Sequence, residues 1–184
     1  SGTWVDARST DFELINDGLH LRGWRLTPGQ SRALLYFGGN AEDVSLNLES
    51  FGRAFPEHAL YLMHYRGFGG STGSPSEPAN HSDAAELYRW VASQHAEVCV
   101  IGRSLGSGVA IRLAGEVPAS RLVLVTPFAS LEDIAAAAYP LLPVRLLLRD
   151  RYDSGAVAPR ISIPTTIIAA EHDEVIPRAS TEKL

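Results

Sequence analysis

The sequence predicts an α/β fold in which a mostly parallel central sheet carries helices on both faces. Short, uniformly apolar runs alternate along the chain with longer segments of helical periodicity, which is the pattern of parallel strands joined by helical crossovers. Glycine-rich and polar clusters follow the ends of several of these runs. In such sheets these loops collect at one edge, where binding sites form. The 184 residues show no internal repeat and predict a single domain, 1–184.

The first elements predict a hairpin followed by a buried strand. Residues 12–15 and 19–26 flank the sequence Asn-Asp-Gly at 16–18, which suits a tight turn between paired strands. Residues 33–37 form a continuous apolar run that ends at Gly-Gly-Asn, 38–40. Beyond this loop, apolar residues recur at helical spacing from Val44 to Phe55, so a helix should follow the strand.

The rest of the chain repeats the order of strand, loop and helix. Residues 59–63 predict a second buried strand, followed by a loop rich in Gly, Ser and Pro at 65–75 and by helical signals after Asn80. The apolar run 98–101 predicts a further strand, with a helix starting near Leu105. Residues 121–125 and 165–170 are the last predicted strands.

One stretch carries a recognisable chemical motif. Gly102, Ser104 and Gly106 stand in the pattern G-x-S-x-G between a predicted strand and a predicted helix, as in the nucleophile elbow of serine hydrolases. The two glycines would allow a turn too tight for a Cβ, and the serine would occupy strained backbone space. A glycine-rich turn that merely packs closely would show the same five residues, so the motif needs support from its surroundings.

Two further parts of a serine hydrolase site are visible. The N–H of Leu105, after the nucleophile, and an N–H of the loop that holds Gly39 and Asn40 are candidate oxyanion donors. Asp173, directly after the last predicted strand, is a candidate triad acid. The alternatives are an ordinary turn in which Asn40 caps a helix, and a solvated acidic loop around Asp173.

Composition excludes several classes of function. With 45% hydrophobic and 20% charged residues the chain is typical of globular proteins. A formal charge of −5 disfavours a nucleic-acid partner. The apolar run 134–148 is broken by two prolines and an arginine and is too short for a transmembrane segment. Localisation stays open, with the cytoplasm as our expectation, because the chain starts without Met and an N-terminal anchor or signal could have been removed.

Four segments together resemble a known family. Residues 34–43 (LLYFGGNAED), 65–69 (YRGFG), 102–108 (GRSLGSG) and 173–177 (DEVIP) resemble the depalmitoylase-like, or serine-aminopeptidase-like, branch of the α/β-hydrolase superfamily. The resemblance implies the α/β-hydrolase fold, a Ser104 nucleophile, an Asp173 acid and an oxyanion hole from the N–H groups of Leu105 and Asn40. It also implies esterase or thioesterase chemistry on a small molecule, without a metal or organic cofactor.

The sequence departs from the family at its triad histidine. In the family this residue follows the acid after one more strand, whereas few residues follow Asp173 here. None of the six histidines fits the role, although His64 could line the site and His172 adjoins the acid. We therefore expect a chain that lacks the C-terminal strand and helix, with low activity on its own and a sheet edge open to self-association.

Segment 128–153 predicts a small helical cap, and its leucines would suit an acyl chain or the domain's own core. Three functions remain open at this point. The first is a serine esterase or thioesterase that cleaves an ester with an apolar acyl part through an acyl-enzyme. The second is an aminopeptidase of the same fold, and the third is a catalytically silent ligand-binding or interaction protein.

Overall fold

A computed structural model describes residues 9–131, 135, 150–169, 182 and 184 of the chain. These residues contain a seven-stranded sheet of order β1-β2-β4-β3-β5-β6-β7. The two pairs that involve β2 are antiparallel, and the four pairs from β4 to β7 are parallel. The strands are β1 (Ser9–Asn16), β2 (Leu19–Leu26), β3 (Arg32–Phe37), β4 (His58–Met63), β5 (Glu97–Arg103), β6 (Arg121–Val125) and β7 (Thr165–Ile168).

Helical segments connect the parallel strands. In the described part of the chain they are a 3₁₀ turn (Val44–Asn47), α1 (Leu48–Ala54), α2 (Glu77–Ala92), α3 (Leu105–Ala114), α4 (Ser154–Val157) and a second 3₁₀ turn (Ala158–Arg160). The predicted mostly parallel sheet is confirmed. The predicted hairpin is also present, since Asp17 and Gly18 both have positive φ, at 52° and 72°, as tight two-residue hairpin turns require.

Alternate residues of the central strands supply two cores. Leu35 and Phe37 of β3 belong to the larger cluster, which includes side chains of α2 and α3. Leu34 and Tyr36 of the same strand belong to the smaller cluster, which includes Leu48 of α1. Because a strand with apolar residues on both sides must be covered on both sides, helices pack on both faces of the sheet, as predicted.

Several element boundaries differ from the sequence prediction, among them the start of β1 at Ser9 instead of residue 12. Helix α2 begins at Glu77, before Asn80, because the Ser76 side chain accepts a hydrogen bond from the Ala79 N–H and caps it. Strand β5 continues through Gly102 to Arg103 instead of ending at residue 101. The helix predicted after Asn40 is divided into the 3₁₀ turn and the short α1, which ends at Ala54.

Some predictions fall outside the described residues. Asp173 and His172 are among these, as is most of the predicted cap, since 132–134 and 136–149 are not described. The cap, the single-domain boundary and the open sheet edge therefore stay predictions. Within the described ranges, no helix is long and apolar enough to span a membrane.

Candidate functional site

Ser104 occupies a strained turn between β5 and α3. Its backbone has φ 51° and ψ −120°, a conformation that costs an L-residue free energy and persists only where the surroundings impose it. The Ser104 N–H donates to the Val125 carbonyl of the neighbouring strand at 3.0 Å, and the Ser107 N–H donates to the Ser104 carbonyl at 2.8 Å. The strand on one side and the helix on the other thus hold the turn.

The Ser104 hydroxyl does not cap the helix that it precedes. Serine at this position ordinarily accepts a hydrogen bond from the first turn, but the Ser104 side chain makes no capping hydrogen bond. No side-chain hydrogen bond of Ser104 to any other described residue is found either. The hydroxyl is therefore available to a substrate.

Two glycines permit this geometry. A Cβ on Gly102 would lie 2.3 Å from the Gly106 carbonyl oxygen, and a Cβ on Gly106 would lie 2.0 Å from the Phe37 carbonyl oxygen. Real Cβ atoms do not approach a backbone oxygen so closely. The glycines of the motif are thus required by the close approach of α3 to β5 and to the end of β3, as the sequence interpretation supposed.

The loop after β3 lies beside Ser104. A Cβ built on Gly39 would lie 3.7 Å from the Ser104 Cβ and 3.3 Å from the Glu42 carboxylate. The N–H of Leu105, the first residue of α3, has no acceptor within its helix, and no hydrogen bond from the Asn40 N–H to another described residue is found. Asn40 is not a helix cap, because Asp43 caps the 3₁₀ turn instead.

The Glu42 carboxylate is a hub of hydrogen bonds in the loop of residues 38–43, which we call the oxyanion loop after the role proposed for it below. Glu42 accepts hydrogen bonds from the Gly39 N–H at 2.6 Å and from the Tyr36 hydroxyl and the Asn47 amide at 2.7 Å each. The Arg103 guanidinium lies 3.7 Å from the same carboxylate. Glu42 thus occupies the Gly39 N–H, whereas the next N–H along the chain, that of Asn40, makes no hydrogen bond to another described residue.

Glu42 is ionised in this setting. Burial acts to raise its pKa, but the hydrogen bonds from Gly39, Tyr36 and Asn47 and the charge of Arg103 outweigh burial, so the pKa lies below the ordinary glutamate value. Burial and the Glu42 charge together raise the pKa of the Tyr36 phenol far above its usual range, so this phenol stays a donor. The sequence reasoning missed Glu42 because its partners are brought together only by the fold.

The loop after β4 is tied to the site from the other side. The buried Tyr65 hydroxyl donates to the Gly38 carbonyl at 2.9 Å. Arg66 donates to both carboxylate oxygens of Asp83 on α2, at 2.7 and 2.8 Å, and to Asp17 at 3.0 Å. Two residues of the YRGFG segment therefore fix the loop to the oxyanion loop and to α2.

A cleft of about 330 Å³ opens next to the oxyanion loop. We call it the Trp24 cleft, and it is lined by Trp24, Ala41, Glu42, Asp43, Ser45, His64, Phe68 and Gly69. His64 does line a cleft, as the sequence interpretation allowed. It follows β4, and the described part of the chain shows no hydrogen bond between its ring and Ser104.

No described histidine is placed as the base for Ser104. His20 pairs with Glu13 at 2.9 Å, and the His95 ring lies 2.7 Å from the Tyr61 hydroxyl. His58 lies at the start of β4 and His81 on α2. Asp173 and His172 lie outside the described residues.

In the described ranges no group of three or more His, Cys, Asp or Glu side chains has metal-binding geometry, and cofactor-free chemistry stays a prediction.

The sheet order and the strained serine between strand and helix define the class of α/β-hydrolase-fold proteins. The esterase Pf2001 of Pyrococcus furiosus superposes with a TM-score of 0.79 at 18% identity, over 100% of this chain and 79% of that one. This likeness shows the fold. No protein-family model matches the chain.

Similarity to curated proteins extends the comparison. The chain is 37% identical over 179 residues to the uncharacterized protein Rv2307c of Mycobacterium tuberculosis, covering 91% of this chain and 63% of that protein. It is 30% identical over 210 residues to the lysophosphatidylserine lipase ABHD12 of Danio rerio, covering 100% of this chain and 52% of the lipase. The chain belongs to the α/β-hydrolase superfamily. Its place in the depalmitoylase-like branch remains a prediction.

Proposed function

We propose that the protein is a serine hydrolase that cleaves an ester or thioester with an apolar acyl part. The observation that carries this proposal is the strained Ser104 turn, which leaves a serine hydroxyl uncommitted beside the loop that holds Gly39. A serine held in this way, with donors on one side, is suited to attack a carbonyl carbon. The chain spans about 63% of Rv2307c and 52% of ABHD12, so the activity of the whole protein is part of the proposal.

The proposed reaction has two stages. The Ser104 Oγ attacks the carbonyl carbon while its proton passes to a general base, and the tetrahedral oxyanion accepts hydrogen bonds from the Leu105 and Asn40 N–H groups. Expulsion of the alcohol or thiol, protonated by that base, gives an acyl-Ser104 ester. Water then releases the acid and restores the serine. Asp173 is our candidate for orienting the base, and the base itself is assigned to none of the described histidines.

The names of similar proteins support this choice of substrate. ABHD12 is called a lysophosphatidylserine lipase, and Pf2001 is called an esterase. Both names describe cleavage of an ester bond. The proposal of an apolar acyl part rests on the leucines of segment 128–153, most of which lie outside the described residues.

Hydrolysis of p-nitrophenyl esters of increasing acyl length, from acetate to dodecanoate, tests the proposal in the full-length gene product. We expect kcat/KM to rise with acyl length and Ser104→Ala to lower kcat by about 10⁴-fold or more. Ser50→Ala, an exposed serine on α1, is the matched control and should leave kcat unchanged. Turnover that survives Ser104→Ala would contradict Ser104 as the nucleophile. Rates independent of acyl length would contradict the proposal that the substrate has an apolar acyl part.

The second candidate, a catalytically silent binding protein, has one observation in its favour. None of the described histidines hydrogen-bonds to Ser104. If the protein turns over p-nitrophenyl butyrate no faster than its Ser104→Ala variant does, the binding function is the better account. Cleavage of an aminoacyl p-nitroanilide in preference to esters would favour an aminopeptidase.

A further inference from the structure

The Trp24 cleft has a composition that the proposed ester chemistry does not explain. Its lining includes Ala41, the residue that follows the proposed oxyanion donor Asn40. It also includes two carboxylates and the aromatic side chains of Trp24 and Phe68. Glu42 belongs both to this lining and to the network that holds the Gly39 N–H. The cleft and Ser104 therefore both adjoin the same short loop.

The two carboxylates of the cleft differ in how far they are already satisfied. The Glu42 carboxylate accepts three hydrogen bonds and has Arg103 nearby. The Asp43 carboxylate accepts the Ser45 N–H and hydroxyl through Oδ1 alone. These hydrogen bonds to Ser45 outweigh burial and lower the Asp43 pKa. Asp43 thus brings to the cleft a negative charge that no described Lys or Arg neutralises through a salt bridge.

His64 is the second, independent feature of the cleft. Its side chain lines the cleft although the residue is only 7% exposed, and neither ring nitrogen hydrogen-bonds to another described residue. A Cβ on Gly69 would lie 2.2 Å from the His64 ring, so Gly69 leaves the space that the ring occupies. Burial lowers the His64 pKa against the opposing effect of Asp43, so the imidazole is neutral at pH 7. It offers an unpaired acceptor and no competing positive charge.

We infer that the Trp24 cleft binds an alkylammonium group. The faces of aromatic rings attract such cations, and Trp24 and Phe68 supply two rings. Asp43 supplies the opposite charge, and no Lys or Arg is among the described lining residues. A cleft of about 330 Å³ has room for a group the size of choline. The assignment of this cation to the alcohol part of a substrate rests on the proposed function. The binding of the cation to the cleft does not rest on that function.

Calorimetric titration with choline, and with its neutral isostere 3,3-dimethylbutanol, tests the inference directly. We expect choline to bind at least about tenfold more tightly than the isostere. Asp43→Asn should abolish most of that preference. Asparagine also serves as a helix N-cap, so this variant keeps the capping interaction with Ser45 and the fold.

Two controls separate the cleft from general electrostatics. Glu57→Gln removes the same unit of charge from an exposed pair with Arg32 and should leave choline affinity unchanged. Trp24→Leu should weaken choline binding about fivefold or more, with its circular dichroism spectrum showing that the fold is retained. Choline that fails to bind, or that binds Asp43→Asn as tightly as the unaltered protein, would overturn the inference.

Kinetics distinguish this inference from the proposed function. The ratio of kcat/KM for butyrylcholine to that for 3,3-dimethylbutyl butyrate should fall about tenfold in Asp43→Asn. If choline binds as expected but neither ester is hydrolysed, the cleft is supported as a binding site and the proposed hydrolase function fails. If both esters are hydrolysed at equal rates and choline does not bind, the hydrolase function is supported and the inferred cation site fails.

Discussion

The two loops that meet at Ser104 are shaped by different forces. The elbow between β5 and α3 owes its form to backbone packing, because Gly102 and Gly106 allow main chains to approach where any Cβ would collide. The oxyanion loop owes its form to one carboxylate, Glu42, which gathers an N–H, a phenol and an amide from three places. A site of this kind therefore has a part fixed by steric exclusion and a part fixed by charge and hydrogen bonding.

This difference determines how each part should fail. A steric constraint breaks as soon as an atom is added, at any pH. The stabilisation of a loop by a hydrogen-bonded carboxylate decreases in steps as its partners are removed. It is also lost when the carboxylate is protonated. Substitutions in the two loops can therefore be ordered by their expected effect.

Gly106→Ala should have the largest effect. The new Cβ would lie 2.0 Å from the Phe37 carbonyl oxygen, so β3 and α3 would have to separate, at a cost of about 3 kcal/mol or more. Gly29→Ala is the matched control, because no heavy atom lies within 4 Å of its Cβ position. Urea denaturation measures both, and equal stability of the two variants would show that the elbow is not held by close packing.

Glu42→Gln should have the next largest effect. It keeps the shape of the side chain but removes the charge that accepts three hydrogen bonds, which we expect to cost about 2 kcal/mol. The Asn40 N–H would then be less well placed, so kcat for a p-nitrophenyl ester should fall about tenfold with KM nearly unchanged. Glu49→Gln, in an exposed ion pair with Arg53 on α1, should cost at most about 0.5 kcal/mol. A rise in KM alone would contradict the positioning role of Glu42.

Tyr36→Phe should have a smaller effect. It removes a single donor at 2.7 Å from Glu42 and leaves the aromatic contact with Phe51 in place. The expected loss of stability is about 1 kcal/mol. Combining Tyr36→Phe with Glu42→Gln in a double-mutant cycle should give less than the sum of the two losses, and strict additivity would show that the two side chains are not coupled.

The dependence on pH should be the mildest effect. Because folding lowers the Glu42 pKa below its ordinary value of 4.5, the stabilisation by the ionised group is complete above that value and is lost as pH falls through the lower folded-state pKa. The difference in unfolding free energy between the unaltered protein and Glu42→Gln should therefore be constant from pH 7 to pH 5 and shrink towards pH 3. The Gly106→Ala penalty should stay the same over this range.

The same contrast explains what could be predicted from the sequence. Periodicity and apolar runs were sufficient for the parallel sheet, and the spacing of Gly102, Ser104 and Gly106 was sufficient for the elbow, because steric requirements act on neighbours in the chain. The role of Glu42 could not be found in this way. Tyr36, Asn47 and Arg103 meet its carboxylate only after β3, β5 and the 3₁₀ turn have packed together.

Helix α2 shows a smaller failure of the same kind. Its start was predicted after Asn80, whereas the Ser76 cap starts the helix at Glu77 and places Pro78 in its first turn. The sequence analysis also did not predict the Trp24 cleft, although it named His64 as a residue that could line the site. Its walls come from β2, the oxyanion loop and the loop after β4, which are separate in the sequence.

The most direct test of the central claim is covalent labelling of the full-length gene product with a fluorophosphonate, followed by peptide mass spectrometry. Our account predicts one label per chain, attached to Ser104, that is absent in Ser104→Ala and retained in Ser107→Ala, since Ser107 is fully buried. A label on another residue, or labelling that persists in Ser104→Ala, would contradict Ser104 as the nucleophile.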